Sequence, residues 1–287
     1  MKPKVLFVAA LLAAGSASAH DTWFERLDGD DAAHVLALGT GNQFPVQETG
    51  IDATYIAASG CRAARRVLPL QAAQQGEHAL QLRAAAGAAT CWLQTAPFSV
   101  TLAPDKIALY LREVNPNATQ RASWAEMQRH GLPWRERYVK HARIELGDDG
   151  PGAVPAPVGL DLLIEHAGPI EPGQSFAVRV LRDGQPLPGQ AVELRSEDSP
   201  LGVWRRSDEQ GRLTMPAPAA GRWLLRTIDL RLSASEPDTW DSRFATTAFQ
   251  IGKPQIGMNF KSNALSANQA AATAAISSEP PSSTTRR

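Results

Sequence analysis

Phe176-Ala-Val-Arg-Val180, Arg182-Asp-Gly-Gln-Pro186 and Ala191-Val-Glu-Leu194 read as strand, turn and strand. Phe176, Val178 and Val180 alternate with polar or small residues, the period of a half-buried strand. Asp183-Gly184 supplies the turn chemistry between the runs. The same grammar extends outward in both directions. Leu160-Asp-Leu-Leu-Ile164 precedes it, and Asp208-Glu-Gln-Gly211 turns before Arg212-Leu-Thr-Met215. Gly221-Arg-Trp-Leu-Leu225 and Ala245-Thr-Thr-Ala-Phe-Gln-Ile251 close the set. Short strands at regular spacing are the sandwich signature, so residues 158–252 are expected to form a seven-stranded immunoglobulin- or transthyretin-like module.

Upstream, residues 20–147 carry a second β-rich pattern. His34-Val-Leu-Ala-Leu38, Val67-Leu-Pro-Leu70, Ala79-Leu-Gln-Leu82 and Cys91-Trp-Leu-Gln-Thr95 are short runs broken by Gly, Pro and polar clusters. A helical insertion is expected at about 104–135. Asp105 reads as the cap of a first helix containing Ile107, Tyr110 and Leu111. Ser123 and Glu126 read as a capping box for a second, ending at Gly131. Trp134 to Leu146 mixes helical and alternating spacing and reads as a helical turn running into a strand. The Gly/Pro-rich stretch 148–157 (DDGPGAVPAP) reads as a linker, and the Ala/Ser/Thr/Pro-rich 253–287 as a disordered tail. The predicted class is therefore mainly β, two sandwich-like modules with a short helical insertion between them.

Composition narrows function. The 287 residues hold 29 basic and 29 acidic side chains, so there is no basic excess to neutralise nucleic-acid phosphates. Residues 1–19 have the form of an export signal. Lys2 and Lys4 open it, an apolar run too short to span a bilayer follows, and Ala17-Ser-Ala19 matches a peptidase site. The expectation is a periplasmic chain cleaved after Ala19, with no membrane span afterwards. In that setting Cys61 and Cys91, the two cysteines, read as one structural disulfide worth about 3–4 kcal/mol.

Cleavage after Ala19 makes His20 the first residue. A terminal histidine can chelate one metal through its α-amine and Nδ1, nitrogen donors suited to nickel, cobalt, copper or zinc. A second histidine would close such a site. His34 sits in an apolar strand, His78 and His166 in turns, and His130 four residues after Glu126 on a helix face. His141, in the aromatic- and Arg-rich stretch Trp134 to His141, is the preferred second ligand. No His-Glu-x-x-His, Gly-x-Ser-x-Gly, P-loop or Gly-x-Gly-x-x-Gly occurs, so no enzyme class is indicated and no catalytic residue is assigned. The seven Trp follow no fixed spacing and read as packing residues.

His20-Asp-Thr-Trp23-Phe24 resembles the His-x-x-Trp opening of a bacterial periplasmic family of unknown function, some of whose members are described as components of nickel or cobalt uptake. Gly41-Asn-Gln-Phe44-Pro45 is similar to its Gly-x-x-Phe-Pro turn. Glu136 to Arg143, Val180 to Leu187, Asp208 to Gly211, Gly221 to Leu225 and Trp240 to Thr246 resemble later segments in the same order. His141 stands where many members have Tyr, and the His-rich segments or membrane anchor of some members are missing. The resemblance implies a periplasmic protein of metal homeostasis with His20 as the ligand carried over. Its cofactor would be a divalent transition metal (nickel, cobalt or copper), and its partner a membrane metal transporter. Two other readings stay open: a non-catalytic, metal-free cell-envelope binding module, and an oxidative copper enzyme built on a histidine brace.

Overall fold

The computed structural model describes residues 20–27, 33–147 and 153–252. The expected export signal at 1–19, part of the expected linker at 148–157 and the expected tail at 253–287 lie outside them. In chain order the first half forms β1 (Asp21–Leu27), β2 (Ala33–Gly41), β3 (Thr49–Gly50), β4 (Ile56–Ala63), β5 (Arg66–Leu68), β6 (Leu70–Gln75), β7 (Leu80–Ala85), β8 (Thr90–Thr95), β9 (Phe98–Leu102), α1 (Pro104–Val114), α2 (Ala118–Arg129) and β10 (Trp134–Glu145). The second half forms β11 (Leu160–Glu165), β12 (Ser175–Arg182), β13 (Gln185–Pro186), β14 (Ala191–Ser196), β15 (Ser199–Arg206), β16 (Arg212–Pro216), β17 (Gly221–Leu232) and β18 (Trp240–Ile251). The protein is mainly β, as its alternating patterns predict.

A nine-stranded sheet runs through the molecule in the order β15-β14-β17-β18-β10-β8-β4-β5, with β9 also paired to β10. β10 and β18 pair in parallel, from Glu136 opposite Trp240 to Ile144 opposite Ala248. That ladder joins the two halves of the chain, so the two sandwich-like packings share a central sheet. A smaller sheet, β1-β2-β7-β6, covers one face of it, and a four-stranded sheet of β11, β12, β13 and β16 lies against the other.

Alternation along the strands explains the layering, because neighbouring side chains point to opposite faces. In β17, Leu224 enters the core beneath the β1 sheet, whereas Trp223 and Leu225 enter the core with Phe176, Val178 and Val180. In β10, Ala142 and Ile144 face the β1 side, with Trp23, Phe24, Leu36 and Leu38. A third core holds Ile107 and Tyr110 of α1 and Trp124 and Met127 of α2 against Trp134, Trp240 and Phe244. Trp134 and Trp240 stack at 5.0 Å between ring centres, and Trp124 meets Trp134 edge-on. These tryptophans pack, as expected of them.

Four local readings are corrected. Asp105 is not a cap: Ala103 occupies that position without a side-chain bond, Pro104 opens α1, and Asp105 lies in the first turn. The Ser123 and Glu126 capping box is not formed. Asn117 caps α2 and pairs reciprocally with Gln120, which starts the helix earlier and leaves Ser123 in its interior. The helical turn expected at the start of Trp134 to Leu146 is absent, since β10 is one strand laddered to β9, β8 and β18. Two-sided pairing decides a segment whose own pattern is ambiguous. Val67 to Leu70 is two strands rather than one. Pro69 has no N–H to continue a ladder, and the chain passes there from β5 in the central sheet to β6 in the small one.

Candidate functional site

His20 sits at the mouth of β1, partly exposed. Its position is set from three directions. β1 pairs with β2 along its whole length, from Asp21 opposite Gly41 to Leu27 opposite Val35. The Lys140 Nζ donates to the His20 carbonyl at 3.1 Å. The His20 Nε2 lies 3.4 Å from a carboxylate oxygen of Glu48.

The turn that presents Glu48 needs its glycine. A Cβ on Gly41 would lie 2.2 Å from the Val46 carbonyl oxygen and 2.8 Å from the Trp23 ring, so only a bare backbone fits. Phe44 then packs edge-on against Trp23 at 5.8 Å. The Gln47 side chain donates to the Trp23 carbonyl at 3.0 Å, and Asn42 donates to the Glu48 carboxylate at 3.0 Å. The His-x-x-Trp and Gly-x-x-Phe-Pro motifs, 20 or so residues apart in sequence, thus close on each other around His20. His78 joins from the far side, its Nδ1 3.0 Å from the Glu48 carbonyl oxygen.

Beneath His20 lies a buried charge network. Arg226, fully enclosed, pairs with Asp21 at 2.9 Å and with Glu193 at 2.9 Å. Arg195 reaches the same two carboxylates. Burial pushes the Glu113 carboxyl up, opposed by Arg226. Burial pulls the Lys140 ammonium down to about 8, with Asp21 acting against it. Glu136 is raised by burial while accepting from Tyr110 at 2.6 Å, from the Trp134 indole at 2.8 Å and from Ser242.

His141 is placed elsewhere. It follows Lys140 on β10, so its ring projects from the opposite face of the central sheet. The Nδ1 lies 3.0 Å from the Phe244 carbonyl oxygen. A carbonyl only accepts, so Nδ1 carries the proton and Nε2 the lone pair. Burial lowers the imidazole pKa to about 4, with nearby Arg243 adding to the fall and the Phe244 carbonyl opposing it. The ring borders a cavity of about 500 Å³ lined also by Gln94, Val139, Val158, Gly159, Asp183 and Arg243. The two histidines singled out as metal ligands therefore do not converge. Among the described residues no group of three His, Cys, Asp or Glu side chains is placed to hold a metal ion.

Cys61 and Cys91 are bonded, opposite each other on β4 and β8. His130 pairs with Glu126 at 2.9 Å on the exposed face of α2. Sequence reasoning missed Glu48 and the Asp21, Glu193 and Arg226 network. No local spacing marks them, since their partners lie in distant strands.

These features define a layered β protein whose first strand is pinned at its start by β2, Lys140 and Glu48. The chain belongs to the family described as Domain of unknown function (DUF4198), whose model matches residues 17–229. Among curated proteins none matches the chain.

Proposed function

We propose that this is a periplasmic transition-metal-binding protein in which His20, freed as the first residue by removal of residues 1–19, holds a divalent ion through its α-amine and Nδ1. Nickel or cobalt is favoured by the resemblance to uptake components, and copper by its place at the top of the Irving–Williams order. The protein would carry the ion to a membrane transporter or keep it from harm. The observation that carries the reading is the 3.4 Å approach of His20 Nε2 to the Glu48 carboxylate. A ligating histidine typically gives its other ring N–H to a carboxylate, which fixes the tautomer and leaves the remaining nitrogen as a donor. Here that remaining nitrogen is Nδ1, the one able to chelate together with the terminal amine. Lys140 holds the carbonyl of the same residue, so the backbone end of the chelate is already ordered.

The test is intact mass spectrometry and metal titration of protein exported to the periplasm. The expected result is a chain starting at His20 that binds one equivalent of nickel, cobalt or copper. His20→Ala abolishes that binding, and Glu48→Gln weakens it about 10- to 100-fold. A chain starting elsewhere, or a correctly processed chain without tight metal, would defeat the reading. It would favour a metal-free binding module of the cell envelope, for which the cavity beside His141 is the supporting observation.

A further inference from the structure

The cavity on the opposite face of the central sheet is independent of the His20 site, and it is built rather than incidental. Gly159 has ordinary backbone geometry, so no turn requires glycine there. A side chain there would press on the cavity lining, since a Cβ would lie 3.1 Å from the His141 Nε2 and 3.1 Å from the Arg243 Nη1. The missing side chain leaves both nitrogens facing one point. The loop around it is held from three sides. The Gly159 N–H donates to the Gln94 side chain at 3.0 Å. Its carbonyl accepts from Arg243 Nη1 at 2.7 Å and from the Asp183 N–H at 3.0 Å.

The donors and acceptors left over have a definite pattern. Arg243 Nη1 also reaches the Asp183 carboxylate at 2.7 Å, which fixes the guanidinium while Nε and Nη2 make no bond to the described protein. His141 Nε2 is an acceptor, because Nδ1 carries the proton. Asp183 is a largely exposed carboxylate at the rim, its other oxygen 3.7 Å from Arg182 Nε, and Arg182 is paired in turn with Asp229. The site therefore offers a fixed guanidinium beside two acceptors, with Val139, Pro157 and Val158 as apolar wall. A metal ion is disfavoured, since the guanidinium stands beside the imidazole lone pair. A ligand with a carboxylate for the guanidinium and an ammonium for the acceptors leaves the near-neutral site neutral. Its volume falls in the usual range for small-molecule sites.

We infer that this cavity binds a small zwitterion of the α-amino-acid type with an aliphatic side chain. Its carboxylate sits on Arg243, its ammonium between His141 Nε2 and Asp183, and its side chain against Val139 and Val158. The inference does not rest on the metal reading, and its test contains no metal.

The probe is L-valine, titrated into wild-type protein and followed by calorimetry and by the ¹⁵N shift of the His141 ring, assigned with His141→Gln. Two half-ligands accompany it: 3-methylbutanoate, which lacks the amine, and isobutylamine, which lacks the carboxylate. The expected result is saturable 1:1 binding of L-valine that moves the Nε2 resonance, with each half-ligand about tenfold weaker or more. Arg243→Gln and Gly159→Val, folded by circular dichroism, lose the binding. If a variant fails to fold, the half-ligand comparison on wild-type protein decides alone. An unmoved His141 resonance at tens of millimolar L-valine, or half-ligands that bind as well as L-valine, would overturn the assignment.

Discussion

At the scale of single residues, strand alternation separates two chemistries that are adjacent in sequence. Lys140 and His141 are neighbours, yet one ammonium supports the N-terminal strand and one imidazole faces the cavity behind the sheet. His141 also makes stability depend on pH in a calculable way. In the unfolded chain its ring takes a proton near pH 6.5, whereas the folded ring stays neutral down to about 4. Between those values the unfolded state binds more protons, so stability falls as pH is lowered from 6.5 to 4. The span of the shift corresponds to about 3 kcal/mol over the whole window. Urea unfolding of wild type and His141→Gln from pH 4.5 to 7 measures it. Wild type should lose more stability towards acid than the variant, and parallel curves would remove the account.

At the scale of elements, α2 shows how one capping signal outcompetes another. Asn117 and Gln120 make the reciprocal pair at 2.9 and 2.7 Å. Ser123 lies inside the helix, where a hydroxyl contributes little. Asn117→Ala is expected to cost about 1 kcal/mol, and Ser123→Ala to be close to neutral. Chemical denaturation of the two variants checks this, and the reverse order would restore the capping box at Ser123. β10 teaches a related lesson. Its first half carries Arg135 and Arg137 to solvent and Trp134 and Glu136 to the core, a strand pattern once both flanks are known.

For the whole molecule, the parallel β10 and β18 ladder matters most. It runs nine residue pairs through the middle of the central sheet and places strands from both halves of the chain side by side. Leu224 and Ala248 of the second half sit in the same core as Trp23 and Leu36 of the first. Separating the halves would expose this core and leave a row of unpaired backbone groups. Residues 20–252 are therefore expected to unfold in one cooperative transition, with calorimetric and van't Hoff enthalpies in agreement. Two resolved transitions, or an independently folded 158–252 fragment, would contradict this.

The amino-acid sequence by itself determined the β class, most strand positions from 158 to 251, the two-helix insertion and the Cys61 to Cys91 bond. These follow from short-range signals: alternation, Gly and Asp turns, and the scarcity of cysteine. It also singled out His20, through the form of the preceding segment. What only the tertiary structure decided is which faces and strands meet. The β10 and β18 pairing brings together residues about 100 apart, and no local period encodes it. The same holds for Glu48 beside His20, for Arg226 between Asp21 and Glu193, and for His141 on the far face from His20. Parity along a strand is legible in sequence, but the layer each face meets depends on where the other sheets pack.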